Sequence, residues 1–186
     1  MELVGCGIFR TEVEAMRDGS EGAAVWLSPG LHVEDSRLEA ALRGALEGRC
    51  GVACLFGARC HPDLGGLVEG IGAHLPGKDC ISAFLGDEER RLLESRKAFV
   101  MTPGWLRHWR EIFVEGLHWD EADARQNFGF YETIALLDFG LEPIDELAVL
   151  EFFEYTGKPV EILPATLSRF RTQLDELLER ASQRVA

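Results

Sequence analysis

The sequence has few basic residues and no long apolar run. Its 186 residues include 19 lysines and arginines against 32 aspartates and glutamates, so the formal net charge is -13. A chain of this charge repels a phosphate backbone, and we therefore do not expect nucleic acid as a partner. No apolar run approaches the ~20 residues that a membrane-spanning helix requires, so we expect no membrane association.

The chain also lacks the features that would indicate several domains or a disulfide framework. It has no internal repeat, no low-complexity tract and no linker rich in proline, glycine and serine. We therefore predict a single domain over residues 1–186, a length sufficient to bury a substantial core. Five cysteines are an odd number, which argues against paired disulfides and for a reducing compartment, the cytoplasm.

Short apolar runs alternate with amphipathic segments along the chain. The predicted strands are residues 3–9, 23–27, 52–56, 99–102, 133–139 and 160–163. The predicted helices are residues 35–47, 64–72, 80–97, 103–117, 120–128 and 144–155, with a last helix that runs from residue 166 towards the end. This alternation is typical of crossover connections between parallel strands. The sequence therefore predicts an α/β fold, a three-layer sandwich with a mainly parallel, Rossmann-like sheet.

Three cysteines lie where predicted strands end or in the loops beyond them. Cys6 is near the end of the first strand, Cys60 and His61 follow the buried strand at residues 52–56, and Cys80 follows a Gly-Lys-Asp turn. Ligands bind at the carboxyl ends of parallel strands, so these side chains indicate a site. Thiolates bind zinc, copper(I) and the iron of clusters, and the imidazole of His61 is a further zinc ligand.

The spacing of these thiols leaves other interpretations open. Twenty positions separate Cys60 from Cys80 and fifty-four separate Cys6 from Cys60, so the chain has no compact C-x-x-C knuckle of a zinc finger or ribbon. Free cysteines are also common as small, inert core residues, which is our expectation for Cys50 and Cys54. A nucleophilic Cys60 is a third possibility, although the neighbouring imidazole is poorly placed to act as its base.

A second group of residues is a candidate for binding an anion. Thr102 and Gly104 lie where a predicted strand ends and a helix begins, and free backbone N–H groups at such a turn bind anions or carboxylates. The alternative is a simple helix cap, of which a hydroxyl before proline is typical. Arg125, just before the strand at residues 133–139, either contacts an anion or pairs with an acidic neighbour. The predicted cofactor-binding residues are thus Thr102, Gly104 and Arg125.

Three segments of the chain together resemble a known family. They are residues 56–62 (FGARCHP), 78–86 (KDCISAFLG) and 102–105 (TPGW), and they resemble the domain-of-unknown-function 1638 family of bacteria and methanogenic archaea. Cys6 and residues 30–32 (GLH) are similar to the opening pattern of that family. Many members carry histidine at the position of Lys78, and the loop before Cys60 is one residue longer here than in the family motif.

The resemblance implies a role in one-carbon metabolism, because genes of this family often neighbour those of corrinoid proteins and cobamide methyltransferases. The cysteines of the family motifs fall on Cys6, Cys60 and Cys80, which implies a shared three-thiol site. Three protein ligands leave open one position of a zinc ion or one iron of a cubane.

The residues and the resemblance together predict a cytoplasmic protein that binds zinc or an iron–sulfur cluster through Cys6, Cys60 and Cys80. His61 is then a spare ligand, and the protein works beside corrinoid-dependent methyl transfer. The alternative is a metal-free interaction module that recognises a corrinoid protein or its methyltransferase, with the thiols in its core. Whether the protein is an enzyme is left open by the sequence.

Overall fold

Strands and short helices alternate along the computed structural model, which describes residues 2–16 and 23–183 of the chain. The strands are β1 (Glu2–Cys6), β2 (Ala24–Leu27), β3 (Val52–Leu55), β4 (Gly72–His74), β5 (Ala98–Met101), β6 (Thr133–Asp138) and β7 (Val160–Pro164). The α-helices are α1 (Arg10–Met16), α2 (Asp35–Leu46), α3 (Leu64–Val68), α4 (Cys80–Phe84), α5 (Asp87–Ser95), α6 (Pro103–Arg107), α7 (Glu121–Asn127), α8 (Glu146–Thr156) and α9 (Ser168–Ser182). None of the helices in the described residues is long and apolar enough to cross a membrane.

The strands form two parallel sheets. The first sheet has the order β2-β1-β3-β4 and the second the order β5-β6-β7, and each pairing in both sheets is parallel. The predicted α/β, Rossmann-like architecture with parallel strands is confirmed, although the strands divide between two sheets. In the first sheet the chain passes from β1 to β2 on one side and then to β3 on the other side. The strand order therefore reverses between β1 and β3, which is where ligands bind in open α/β sheets.

Burial differs between the central and the edge strands. All four residues of β3 are fully buried, as expected of a strand covered by helices on both faces. β7 forms the edge of the second sheet and exposes alternate residues, among them Ile162. Buried residues of both sheets belong to one continuous hydrophobic cluster.

Two contacts connect the first sheet to the second. Phe84 of α4 lies 4.8 Å, centroid to centroid, from both Phe139, just after β6, and Phe170 of α9, which stacks on Phe9 after β1. Gly104 of α6 meets the turn after β1 so closely that a Cβ atom there would lie 2.1 Å from the carbonyl oxygen of Ile8. Only glycine permits this approach. The carboxyl ends of β1 and β5 are thereby brought together.

The predicted helix at residues 80–97 is wrong, because two helices occupy this segment. α4 ends at Phe84, the backbone of Leu85 is extended, and α5 begins after Gly86. The carboxylate of Glu89 accepts a hydrogen bond from the Gly86 N–H at 2.9 Å, which caps α5 as an independent helix.

Two further predicted helices differ from the structure. The segment 103–117 is α-helical only to Arg107 and continues as a π-helical turn, Arg110–Gly116. The predicted helix at residues 64–72 ends at Val68, and the short strand β4 begins at Gly72, where a Cβ would lie 2.2 Å from the Val52 oxygen. The sequence did not indicate β4, because a strand of three residues that begins with glycine is too short to show an alternation of apolar and polar residues. The end of the predicted last helix beyond residue 183 lies outside the described residues.

Candidate thiol site

The three predicted thiols line one pocket at the point where the strand order reverses. Cys6 is the last residue of β1, Cys60 lies in the loop after β3, and Cys80 is the first residue of α4. The pocket has a volume of about 240 Å³, and its walls also include His32 and Trp105. We call this cavity the thiol pocket. Its position follows from the strand order, because β1 and β3 are neighbours and both end at this edge.

The backbones of the two loops that carry Cys60 and Cys80 are hydrogen-bonded to each other. The Ala58 N–H donates to the Gly77 oxygen at 3.0 Å, and the Arg59 N–H donates to the Lys78 oxygen at 2.7 Å. A Cβ at position 57 would lie 2.7 Å from backbone atoms of the other loop, so Gly57 is required for this contact. Gly57, which the sequence indicated as the end of the strand, thus also permits the close contact between the two loops that carry Cys60 and Cys80.

Asp79 fixes the start of the helix that carries Cys80. Its carboxylate accepts a hydrogen bond from the Ser82 N–H at 2.9 Å and two from the Arg90 guanidinium at 2.8 Å. Partial burial acts to raise the pKa of Asp79, but the hydrogen bonds from Ser82 and Arg90 outweigh it and hold that pKa below its usual value. A charged Asp79 therefore stands directly beside the thiol.

All three thiols of the pocket are protonated near neutral pH. Burial raises the pKa of Cys60 to about 11 and that of Cys80 to about 12, and it raises the pKa of Cys6 well above its ordinary value. The side chains of Cys60 and Cys80 further raise the pKa of Cys6, because a second negative charge nearby is unfavourable. This influence on Cys6 is expected where the three sulfurs line one cavity.

The thiol pocket is not a closed metal site. Within residues 2–16 and 23–183, no group of three or more histidine, cysteine, aspartate and glutamate side chains is arranged to hold a metal ion. The donor set nevertheless has the chemistry that zinc and iron–sulfur clusters require, namely thiols on separate elements around one cavity. The residues therefore fit such a group in kind.

The structure directs His61 away from the thiol pocket. The side chain is buried, its Nδ1 accepts a hydrogen bond from the Asp63 N–H at 3.1 Å, and its Nε2 lies 3.7 Å from a carboxylate oxygen of Glu39 on α2. His61 is therefore absent from the walls of the pocket that Cys60 lines. Cys54 is buried inside β3 and Cys50 is exposed, and neither lines the thiol pocket.

The thiol pocket includes an imidazole at a position to which sequence reasoning assigned no role. The Nδ1 of His32 lies 3.2 Å from the Pro29 carbonyl oxygen, which can only accept, so Nδ1 carries the proton and Nε2 is left as a free acceptor. Burial lowers the pKa of His32, which favours this neutral form. The ring also stacks on Phe56 at 5.5 Å between centroids. In the sequence, the resemblance of residues 30–32 (GLH) to the opening pattern of the family was the signal that could have pointed to His32.

The residues predicted to bind an anion have separate locations. Thr102 is buried and its hydroxyl accepts a hydrogen bond from the Trp105 N–H at 3.4 Å, which confirms a helix cap. Gly104 packs on the turn after β1, so both residues lie behind the thiol pocket and place Trp105 in its wall. Arg125 of α7 binds the Glu121 carboxylate at 3.1 Å and the Glu154 carbonyl oxygen at 2.9 Å, and it does not line the thiol pocket.

A family model described as a protein of unknown function, DUF1638, matches residues 26–174. The chain belongs to the DUF1638 family. The predicted relationship is thereby confirmed over most of the sequence. The matched residues include Cys60, Cys80 and His32, whereas Cys6 lies before them. No curated protein and no solved structure matches the chain.

Proposed function

We propose that this protein binds a thiophilic inorganic group, an iron–sulfur cluster or a zinc ion, through Cys6, Cys60 and Cys80. The observation that carries the proposal is that thiols from three separate elements line one pocket at the reversal point of the first sheet. Ligand sites occur at this point in open α/β sheets for topological reasons. A cytoplasmic location is part of the proposal, and its support is the five free cysteines, which suit a reducing compartment.

The geometry favours a cluster over a single zinc ion. Sulfurs that share one zinc lie within about 4 Å of one another, because each Zn–S bond is ~2.3 Å long in a tetrahedral arrangement. The described residues contain no group so arranged, yet the thiol pocket brings the three sulfurs around a volume of about 240 Å³. A cubane holds its cysteine sulfurs farther apart, on the order of 6–7 Å, so it requires a less close approach of the three sulfurs than a single zinc ion does.

His32 completes the donor set in place of the predicted His61. Its neutral imidazole with a free Nε2 belongs to the wall of the thiol pocket, whereas His61 is held by α2. It is suited to occupy the position that three cysteines leave open, or to hold a proton or water beside it.

Loading of the thiol pocket releases protons. The thiols are neutral before binding, and only thiolates ligate these metals, so affinity must rise with pH. When bound, the group supplies Lewis acidity or electron transfer at the open position. The chain itself contributes burial, which excludes water from the sulfurs, and the indole N–H of Trp105, which donates to Cys80.

A place beside corrinoid-dependent methyl transfer is part of the proposal, and it rests on the gene neighbourhood that the family resemblance implies. The molecule that binds at the open position of the metal is then a thiol, a methyl acceptor or a small anion. The partner in this setting is a corrinoid protein or a cobamide methyltransferase.

A metal-free interaction module for the same partners is the second candidate. Its support is the neutral state of the buried thiols, which is also how core cysteines behave. Such a module needs an apolar contact surface, and α8 exposes three large apolar side chains on successive turns, Leu147, Leu150 and Phe153.

The two candidates are separated by purification without oxygen, followed by iron, sulfide and zinc analysis and an absorption spectrum. The proposal expects bound metal in the parent protein and its loss in Cys60→Ser, because a hydroxyl ligates zinc or iron poorly. Cys50→Ser is the matched control, since Cys50 is exposed and outside the thiol pocket. A metal-free parent, or equal metal in both variants, would favour the interaction module.

A further inference from the structure

A groove next to the thiol pocket is rich in positive charge, although the chain as a whole is strongly acidic. Its volume is about 600 Å³, which is in the range of small-molecule sites. The cationic side chains that line it are Arg59, Lys78, Arg90, Arg91 and Arg169. We call it the basic groove. Among the described residues, its walls contain two acidic side chains, Asp87 and Glu94.

Most of these cations are not neutralised by neighbouring side chains. Arg90 is the exception, since it binds the carboxylates of Asp79 and Glu94 at 2.8 and 2.9 Å. Arg169 donates through Nε to the Ser82 carbonyl oxygen at 3.2 Å, which leaves its terminal nitrogens available. Among the described residues, the remaining three cations of the basic groove have no carboxylate within ion-pair distance.

A buried amide oxygen is a second indication of a binding site. The Oε1 atom of Gln173 is buried, lacks a hydrogen-bond partner among the described residues, and belongs to a side chain in the wall of the basic groove. An unpaired buried acceptor costs free energy, which a bound molecule recovers only through an O–H or N–H donor of its own, because Oε1 can only accept. Gln173 and Arg169 are four residues apart on α9, so they face the same side of the helix.

We propose that the basic groove binds the phosphate or carboxylate end of a small anionic ligand. Like charges held close together without counterions repel one another, and an anion removes this repulsion. The guanidinium groups contributed by α5, α9 and the Cys60 loop provide paired N–H donors, which match the oxygens of phosphate and carboxylate. The net charge of -13 gives the rest of the surface no such attraction for anions.

The basic groove adjoins the thiol pocket. Arg59 is in the walls of both, and Lys78 of the groove is followed directly by Asp79 and Cys80 of the pocket. A ligand anchored by its anionic end would therefore present its other end to the thiols. This last step rests on the proposed function, whereas anion binding itself does not.

Titration calorimetry of the whole protein with pyrophosphate and with citrate tests the inference at low ionic strength. Binding of either probe is expected, and the tighter of the two identifies phosphate or carboxylate as the preferred end group. Arg91→Gln and Lys78→Gln should each weaken binding about tenfold, the usual effect of losing one charged hydrogen bond. Both residues are exposed, so either variant is expected to fold.

Arg96→Gln is the control for net charge. Arg96 follows α5 but pairs with Glu161 at 2.9 Å and is not in the groove walls, so its loss should leave the affinity unchanged. The inference is overturned if neither probe binds the parent, or if Arg96→Gln weakens binding as much as Arg91→Gln does. Cys60→Ser should still bind pyrophosphate and Arg91→Gln should retain its metal, so that failure of the groove and failure of the thiol site are distinguishable.

Discussion

The indole nitrogen of Trp105 donates a hydrogen bond to the sulfur of Cys80 over 3.2 Å. This bond joins α6, which follows β5 of the second sheet, to the first residue of α4, which follows β4 of the first sheet. Burial is the main influence on Cys80 and raises its pKa to about 12, while the bond from Trp105 acts in the opposite direction. The indole N–H thus stabilises the thiolate that a metal requires.

Replacement of Trp105 by phenylalanine should therefore weaken metal retention while the aromatic packing is largely kept. The lost N–H donor to a charged sulfur corresponds to about a tenfold change in affinity. The measurement is the rate and extent of metal loss to a chelator. Trp119→Phe is the control, because Trp119 stacks on Phe113 and does not line the thiol pocket. Equal loss in both variants would show that only general packing matters.

Cys54→Ala should lower stability without changing metal content. Cys54 is completely buried in β3, so the substitution removes a sulfur from the core and costs about 1–2 kcal/mol in the free energy of unfolding. Urea denaturation of the metal-free protein measures this cost. Cys60→Ser should show the reverse pattern, with metal lost and the stability of the metal-free protein nearly unchanged. If Cys54→Ala also loses metal, the thiol site extends beyond the three predicted ligands.

The parallel α/β architecture and the place of the thiols were accessible from the sequence. Alternating apolar runs and amphipathic segments identify crossover units, and strand ends in such units meet at one edge. This reasoning placed Cys6, Cys60 and Cys80 together, and the structure finds them in one cavity. The division into two sheets was not accessible, because hydrophobic periodicity does not encode which strands pair.

The remaining features of the site depend on contacts between distant segments. Position 104 could be identified as a turn residue, but its close approach to the Ile8 oxygen links segments nearly a hundred positions apart. The sequence also could not show which imidazole, that of His61 or that of His32, lies in the wall of the thiol pocket, because this depends on the direction of the loops that carry them. His61 points towards α2, whereas His32 enters the pocket wall from a turn after β2.

Gly104→Ala should be strongly destabilising, because the new methyl group would lie 2.1 Å from the Ile8 oxygen. Backbone must shift to relieve this overlap, at a cost of about 2–3 kcal/mol or more in the free energy of unfolding. Gly44→Ala is the control with the opposite expected sign. Gly44 lies within α2 with nothing within 4 Å of the added carbon, so alanine should stabilise the helix by about 1 kcal/mol. Thermal and urea denaturation measure both, and a neutral Gly104→Ala would contradict the close approach between α6 and the turn after β1.

Glu12 of α1 should make the protein less stable as the pH rises from acidic to neutral values. The side chain is 1% exposed, and its Oε2 atom has no hydrogen-bond partner among the described residues. Burial raises the pKa of this carboxyl from 4.5 to about 7, although Arg107 nearby acts to lower it. Between pH 4.5 and about pH 7, the folded chain holds a proton on Glu12 that the unfolded chain has released. The stability contributed by the neutral carboxyl is therefore lost progressively across this window, and no further loss occurs above it.

Glu12→Gln should abolish this dependence, because the amide has nearly the same shape and carries no titratable proton. The variant and the parent should have similar stability at the acidic end of the window, while the variant should be more stable by up to about 3 kcal/mol above pH 7. Urea denaturation at a series of pH values measures the difference. Glu14→Gln is the control for loss of a negative charge from the same helix, because Glu14 is exposed and pairs with Arg10. A curve for Glu12→Gln parallel to that of the parent would mean that Glu12 is already ionised or solvated in the folded chain.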